Sequence, residues 1–125
     1  LTIYQCANIT DEGVAFLSDA NELVDLVLRD VAVRGAVVST LPKPGQLVSL
    51  NLAQSKITDS EIENLEGLSN LETLVLSQTD ITDACVDTLI KLTKLKRLTV
   101  TETGITNEGV GKLVTALTDC QIQFN

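Results

Sequence analysis

Residues able to do chemistry are sparse in this 125-residue chain, and histidine is absent altogether. That removes the commonest general acid/base and the usual partner of a Ser or Cys nucleophile. Glu61 and Glu63 are spaced like paired carboxylates, but they fall on one acidic helical stretch with no pocket implied beside them. An enzyme would have to assemble a site from neighbours such as Asp25, Arg29 and Asn51, drawn from different parts of the chain. Gly104 and Gly109 have neither G-x-G spacing nor a following Lys-Ser/Thr, so they form no phosphate cradle. Cys6, Cys85 and Cys120 are an odd number without short ligand spacing, which fits neither a disulfide framework nor a zinc knuckle. Nothing near them lowers a thiol pKa, so they read as inert structural thiols, a usage that mildly favours a reducing, cytoplasmic compartment. The residues therefore point to a non-catalytic protein with no cofactor and no metal.

Charge narrows the partners. The formal net charge of −8 argues against a nucleic-acid backbone, whose affinity comes largely from Lys and Arg releasing counterions, and equally against an anionic membrane surface. No apolar run approaches the ~20 residues of a membrane-spanning helix. Lys91, Lys94, Lys96 and Arg97 are the one basic concentration. They could hold an anion or an acidic partner, although cations near a helix C-terminus have a plainer use in complementing its dipole. With Leu1 rather than Met at its start, the sequence is compatible with an upstream segment, and localisation is not legible from what remains.

What must position these residues is a repeat. Leu23, Leu47, Leu71 and Leu95 are equally spaced by 24 residues, and each opens an L-x-x-L-x-L/V segment: Leu26 and Leu28, Leu50 and Leu52, Leu74 and Leu76, Leu98 and Val100. Val33, Ile57, Ile81 and Ile105 recur at one later phase, Val38, Ile62, Val86 and Val110 at the next, then Leu41, Leu65, Leu89 and Leu113. Period two at Leu74 and Leu76 marks a strand, and the i, i+3 pair Val86 and Leu89 marks a helix face. The chain is expected to be a single α/β domain, residues 1–125. It comprises a partial unit 1–22, units 23–46, 47–70, 71–94 and 95–118, and a terminal strand in 119–125. About six short parallel strands and flanking helices would stack into a curved solenoid. Thr10-Asp11, Thr58-Asp59, Thr82-Asp83 and Thr106-Asn107 supply N-cap side chains, and Thr58 with Glu61 has capping-box spacing. Asp11, Glu12, Asp59, Glu61, Asp83 and Glu108 fall in first turns, where negative charge suits the dipole.

The segments Leu71-Glu-Thr-Leu-Val-Leu-Ser-Gln-Thr79 and Ile81-Thr-Asp83, with Cys6-Ala-Asn-Ile9-Thr-Asp-Glu-Gly13-Val14, resemble the leucine-rich repeat consensus, specifically its cysteine-containing, ribonuclease-inhibitor-like subtype. The resemblance covers essentially the whole chain. It implies a right-handed horseshoe arc with helices on the convex side, and partners commonly held on the concave sheet face. In the family's post-strand slot stand Cys6, Val31, Ser55, Thr79 and Thr103. A small polar group there can satisfy turn backbone, and Val31 cannot. The unit containing Val31 also has Arg34-Gly35 in place of Thr-Asp, and Pro42 and Pro44 interrupt its helical stretch, which should be short or irregular.

Strand alternation then selects the candidate contact surface. The concave face is expected to carry Tyr4, Asp25, Val27, Arg29, Ser49, Asn51, Thr73, Val75, Arg97 and Thr99, flanked by Thr2, Ala53, Ser77, Thr101, Gln121 and Gln123. Only Tyr4, Arg29 and Arg97 belong to the residue types that dominate interface energetics. The face spans on the order of 400 Å², half of the ~800 Å² per partner of a standard interface. It suits an extended peptide or protein loop, and a globular partner would also need the flanks. Terminal strands at Leu1 to Tyr4 and Ile122 to Phe124 present edges through which the chain could add to another copy. The expected function is a protein- or peptide-binding scaffold, or alternatively a structural segment that self-associates or belongs to a longer array.

Overall fold

The computed structural model describes all residues except 7 and 35. Six parallel strands form one sheet in sequence order: β1 (Thr2–Cys6), β2 (Asp25–Val31), β3 (Ser49–Asn51), β4 (Thr73–Val75), β5 (Arg97–Thr99) and β6 (Gln121–Gln123). From β2 onward the register is a constant 24 residues, as in Leu26 beside Leu50, Leu74, Leu98 and Ile122. Because the first unit has one extra residue between Cys6 and Ile9, Ile3 lies beside Leu28 at an offset of 25. Between strands the chain returns through short helices: α1 (Ala36–Thr40), α2 (Asp59–Ile62), α3 (Val86–Leu89) and α4 (Asn107–Ala116), with 3-10 turns at Ala15–Asp19, Pro44–Gln46, Glu63–Gly67 and Asp83–Cys85. This is the horseshoe-type α/β solenoid that the periodicity implies.

One apolar layer fills the space between sheet and helices. Leu26, Leu28, Leu50, Leu52, Leu74, Leu76, Leu98 and Val100 enter it from the sheet, and Val38, Ile62, Val86, Leu65, Leu89 and Leu113 from the helical side, all in one cluster. Fully burying such a side chain is worth roughly 1.5–3 kcal/mol, and each unit's face is covered only by its neighbours. Stacking is therefore what stabilises any one of them.

The turn out of each strand is built the same way five times. Gln5, Asp30, Gln54, Gln78 and Glu102 all adopt left-handed backbone with φ between 52° and 59°. In non-glycine residues this conformation costs on the order of 1–2 kcal/mol each. The reward is a continued ladder, since the amides of Asp30, Gln54 and Gln78 donate to the carbonyls of Ala53, Ser77 and Thr101 at 3.0, 2.9 and 3.0 Å. In the following slot Thr79 and Thr103 donate their hydroxyls to the carbonyls of Leu76 and Val100 at 2.7 and 2.8 Å, and Ser55 does the same to Leu52. Val31 is simply buried there.

Three expectations need correction. Thr10 caps no helix: Val14 precedes the first helical turn, a 3-10 turn at Ala15–Asp19, so Asp11 and Glu12 lie outside any first turn. Ala53 alternates toward the concave side but is only 5% exposed, because its methyl is too short to clear its neighbours. The Pro-interrupted helix α1 is indeed short, stopping before Pro42, and Pro44 starts a separate 3-10 turn, but at five residues it is no shorter than α2 or α3. Of its Arg34-Gly35 signature, Gly35 lies outside the described residues.

Asp59 and Asp83 do more than face a helix dipole. Asp59 accepts both the amide and the hydroxyl of Thr82, each at 2.7 Å, and Asp83 accepts those of Thr106 at 2.8 and 2.6 Å. The Thr–Asp pairs are thus a hydrogen-bonded ladder between successive turns of the solenoid. For Thr58 the residue 23 earlier in the sequence is a glycine, and the carboxylate comes instead from Glu61. Its side chain accepts the Thr58 amide at 2.8 Å, and the capping box expected from the spacing is present.

Candidate functional site

The in-register sheet arranges the outward side chains in rows. One row runs Asp25, Ser49, Thr73, Arg97, Gln121 and the next Thr2, Val27, Asn51, Val75, Thr99, Gln123, while Tyr4 stands beside Arg29. All ten candidate residues share this face. Tyr4, Asp25, Arg29 and Arg97 are exposed, whereas Val27, Ser49, Asn51, Thr73, Val75 and Thr99 are half-buried between flanking strands.

Shallow depressions lie along the face, two of them toward its opposite ends and a third between, lined by Arg29, Asn51, Val75 and Gln78 among others. Tyr4, Val27, Arg29, Asn51 and Gln54 line one of the end pair, and Thr73, Val75, Arg97, Thr99 and Gln123 line the other. Each combines a valine floor with one arginine at its margin. Arg29 is held in place by its Nε, which donates to Gln54 Oε1 at 2.9 Å, leaving the terminal guanidinium donors for a partner. Asn51 is less available than its type suggests, because its carboxamide oxygen accepts the Ala53 amide at 3.0 Å. Thr99 Oγ1 donates to Gln123 Oε1 at 3.2 Å, and Thr101 to Ser77 Oγ at 2.9 Å. Part of the face's hydrogen-bonding capacity is thus spent between strands.

Sequence reasoning missed Gln54 and its equivalents in the left-handed column. Gln78 Nε2 donates to Glu102 Oε2 at 2.8 Å, so the column adds an amide and carboxylate border to one edge of the face. The signal was present as Gln, Asp, Gln, Gln and Glu at one phase, each directly before the post-strand slot.

The basic concentration is largely neutralised. Lys91 pairs with Glu66 at 2.7 Å and Lys96 with Glu72 at 2.8 Å, while Lys94 donates to Asn70 at 2.6 Å. Each partner sits 24 or 25 residues earlier, so the lysines tie one unit to the preceding one. The hydrogen bond and charge of Glu66 hold the Lys91 ammonium above the ordinary lysine range. Arg97 makes none of these pairs and points to the concave side.

The three cysteines are free. Burial, reinforced by the Asp59 carboxylate, pushes the Cys85 thiol up to about 12, and its Sγ donates to the Thr82 carbonyl at 3.2 Å. A thiol held protonated is a poor nucleophile. Among the described residues, no group of His, Cys, Asp or Glu is placed to hold a metal ion, and no helix is long and apolar enough to cross a membrane.

Comparison with known proteins agrees with this geometry. A family model described as Leucine Rich repeat matches residues 91–114. A leucine-rich repeat protein of Leptospira interrogans superposes with a TM-score of 0.65 at 19% identity over 88% of the chain and 27% of that structure. An internalin of Listeria monocytogenes gives 0.59 at 17% identity over 87% and 36%. The structure titled leiomodin-1 actin-binding site 2 gives 0.54 at 13% identity over 100% and 69%. The chain thus spans about a quarter to a third of the two bacterial structures. No curated protein sequence matches significantly. The chain has the leucine-rich repeat fold.

Proposed function

We propose that the chain is a non-catalytic scaffold that holds an extended protein or peptide segment across its concave sheet face. The observation that carries this reading is the pair of depressions at opposite ends of the face, each lined by a half-buried valine and by one arginine whose terminal nitrogens make no hydrogen bond among the described residues. Apolar floors with a few convergent polar groups are what an extended segment needs for orientation. A guanidinium can also grip a carboxylate of the partner bidentately. Structures of this fold include one titled as an actin-binding site, which supports an interaction role in general. Cys6, in the slot filled elsewhere by Ser55, Thr79 and Thr103, supports the cysteine-containing subtype, and three free thiols fit a reducing compartment.

Selection of a displayed random-peptide library against the wild-type chain tests the reading. Recovered peptides should carry Asp or Glu and lose at least tenfold in affinity for the Arg29→Ala/Arg97→Ala variant. Peptides that bind wild type and double variant equally would place the contact surface elsewhere.

A further inference from the structure

Strands β2 to β5 are interior to the sheet, each paired on both sides, and they carry the two arginines of the concave face at opposite corners. Arg97 lies beside Thr73, Thr73 beside Ser49 and Ser49 beside Asp25. On β2 the register position of Arg97 is therefore that of Asp25, four residues before Arg29. Three interstrand steps of ~4.8 Å and four residues of ~3.3 Å set the arginines on the order of 20 Å apart along a diagonal. Neither makes an ion pair among the described residues, although Asp30 follows Arg29 directly.

The surface between the arginines is one continuous trough. The depression at Arg29 shares Asn51 and Gln54 with the middle one, and the middle one shares Val75 with the depression at Arg97. Ala53 lines the middle stretch, where its short side chain leaves room that a longer one would fill. Polar capacity along this path is largely taken: Gln54 is bonded to Arg29, Gln78 to Glu102, and the Asn51 oxygen to the Ala53 amide. Ala53 and Val75 are thus the contacts left between the two guanidinium groups. The opposite diagonal has the reverse charge, since Asp25 stands at one end and Glu102 borders the other, both exposed.

We propose that this trough selects an extended acidic protein segment whose two carboxylates stand six residues apart, one on Arg29 and the other on Arg97. This rests on the concave face being the contact surface, and it adds the path and the spacing. An extended chain advances ~3.3 Å per residue, so about six residues cover the diagonal. Because that separation is even, period-two alternation turns both carboxylates to one side, together with the two even-numbered side chains between them. Those two fall over Ala53 and Val75 and suit small or aliphatic types. Each carboxylate can take both terminal nitrogens of a guanidinium fork. Asp25 and Glu102 repel the same segment from the other diagonal, so one oblique crossing is favoured over its mirror image.

Peptide titrations followed by the amide NMR shifts of the labelled chain test spacing and place together. The probe is a capped nine-residue peptide with Glu at its second and eighth positions, Val at the fourth and sixth, and Thr or Ala elsewhere. Isomers of the same composition move the later Glu to the seventh position, which turns it to the other side, or to the sixth, which shortens the span. The six-spaced peptide should bind about fivefold or more tightly than either isomer and shift the amides of Arg29, Ala53, Val75 and Arg97. In an Asp25→Arg/Arg29→Ala variant, changed only at exposed side chains, both arginines share one row. They are then ~14 Å apart, about four residues of extended chain, so preference should switch to the four-spaced isomer. Equal binding of all three isomers on the concave face, or a variant that keeps the wild-type preference, overturns the spacing and leaves the concave face as the contact surface. So does a six-spaced peptide that shifts nothing at millimolar concentration. Shifts confined to another surface overturn both.

Discussion

Asp11 occupies the same ladder phase as Asp59 and Asp83 but does only half of their work. Its Oδ2 accepts the Arg34 amide at 3.0 Å, whereas its Oδ1 is buried without a hydrogen-bond partner among the described residues. The cause is in the sequence, since Arg34 stands where Thr82 and Thr106 supply a hydroxyl to their aspartates. Arg34→Thr should therefore stabilise the protein. A hydrogen bond to a charged group contributes about 1.5–3 kcal/mol, and the lower figure, about 1.5 kcal/mol, is appropriate because Asp11 as a whole is only half-buried. An unfolding entropy of roughly 2.1 cal/mol/K per residue over this chain gives about 0.26 kcal/mol/K, so Tm should rise by about 6 °C.

Two controls isolate the hydroxyl. Arg34→Val has the shape of the Thr variant without its oxygen, and it measures the cost or gain of losing the arginine alone. In an Asp11→Ala background the Thr substitution has no acceptor to meet and should change stability by no more than ~0.5 kcal/mol. Thermal and urea unfolding followed by far-UV circular dichroism provide the values. If Arg34→Thr and Arg34→Val have the same stability, the ladder is not an energetic unit, and the reading of Asp11 as half-satisfied fails.

Two glycines of α4 should respond to alanine with opposite signs. A Cβ on Gly109 would stand 2.1 Å from Asp83 Oδ1, displacing the carboxylate that holds Thr106, so Gly109→Ala should destabilise by about 1–3 kcal/mol. A Cβ on Gly111 meets nothing within 4 Å, so Gly111→Ala should stabilise by up to about 1 kcal/mol through helix propensity; equal effects in urea unfolding would refute the contact. The ladder should also be acid-sensitive. The hydroxyl and then the amide of Thr106 lower the Asp83 pKa, and the Thr58 hydroxyl does most to lower that of Glu61. Depressed carboxylates contribute stability that is complete above their unfolded pKa and is lost as pH falls through the folded one. Wild-type Tm should therefore drop below about pH 4.5 more steeply than that of Asp83→Asn/Glu61→Gln. Parallel profiles would contradict this.

The strands and the core were legible because a 24-residue period repeats the same burial problem four times in phase, and each copy corroborates the others. The post-strand hydroxyls were legible for the same reason. The left-handed column was not, since Gln, Asp and Glu are ordinary surface residues whose backbone conformation is imposed by the next strand's carbonyl. Of the Thr-Asp pairs the caps were legible at Thr58, Thr82 and Thr106, but the ladder between them was not. Local capping rules explain a Thr before a helix, but the aspartate's partner lies 23 residues away. Gly109 looked like a failed phosphate-loop glycine, and only the position of Asp83 reveals why no side chain fits.

This division also says where recognition can reside. Positions that recur with the same chemistry in every unit, the apolar phases and the Thr–Asp ladder, are occupied by neighbouring units and have little left for a partner. The concave rows are the opposite case. Asp25, Ser49, Thr73, Arg97 and Gln121 share one phase and one register but no common chemistry, and so do Val27, Asn51, Val75 and Thr99. Stacking fixes where these side chains stand without dictating what they are. A segment lying across the strands would read that aperiodic series at ~4.8 Å intervals, with Arg29 near one end and Arg97 near the other. On the proposed concave-face reading, shifting the segment by a single strand would mismatch both arginines at once, so the scaffold's regularity would make an irregular row of side chains selective.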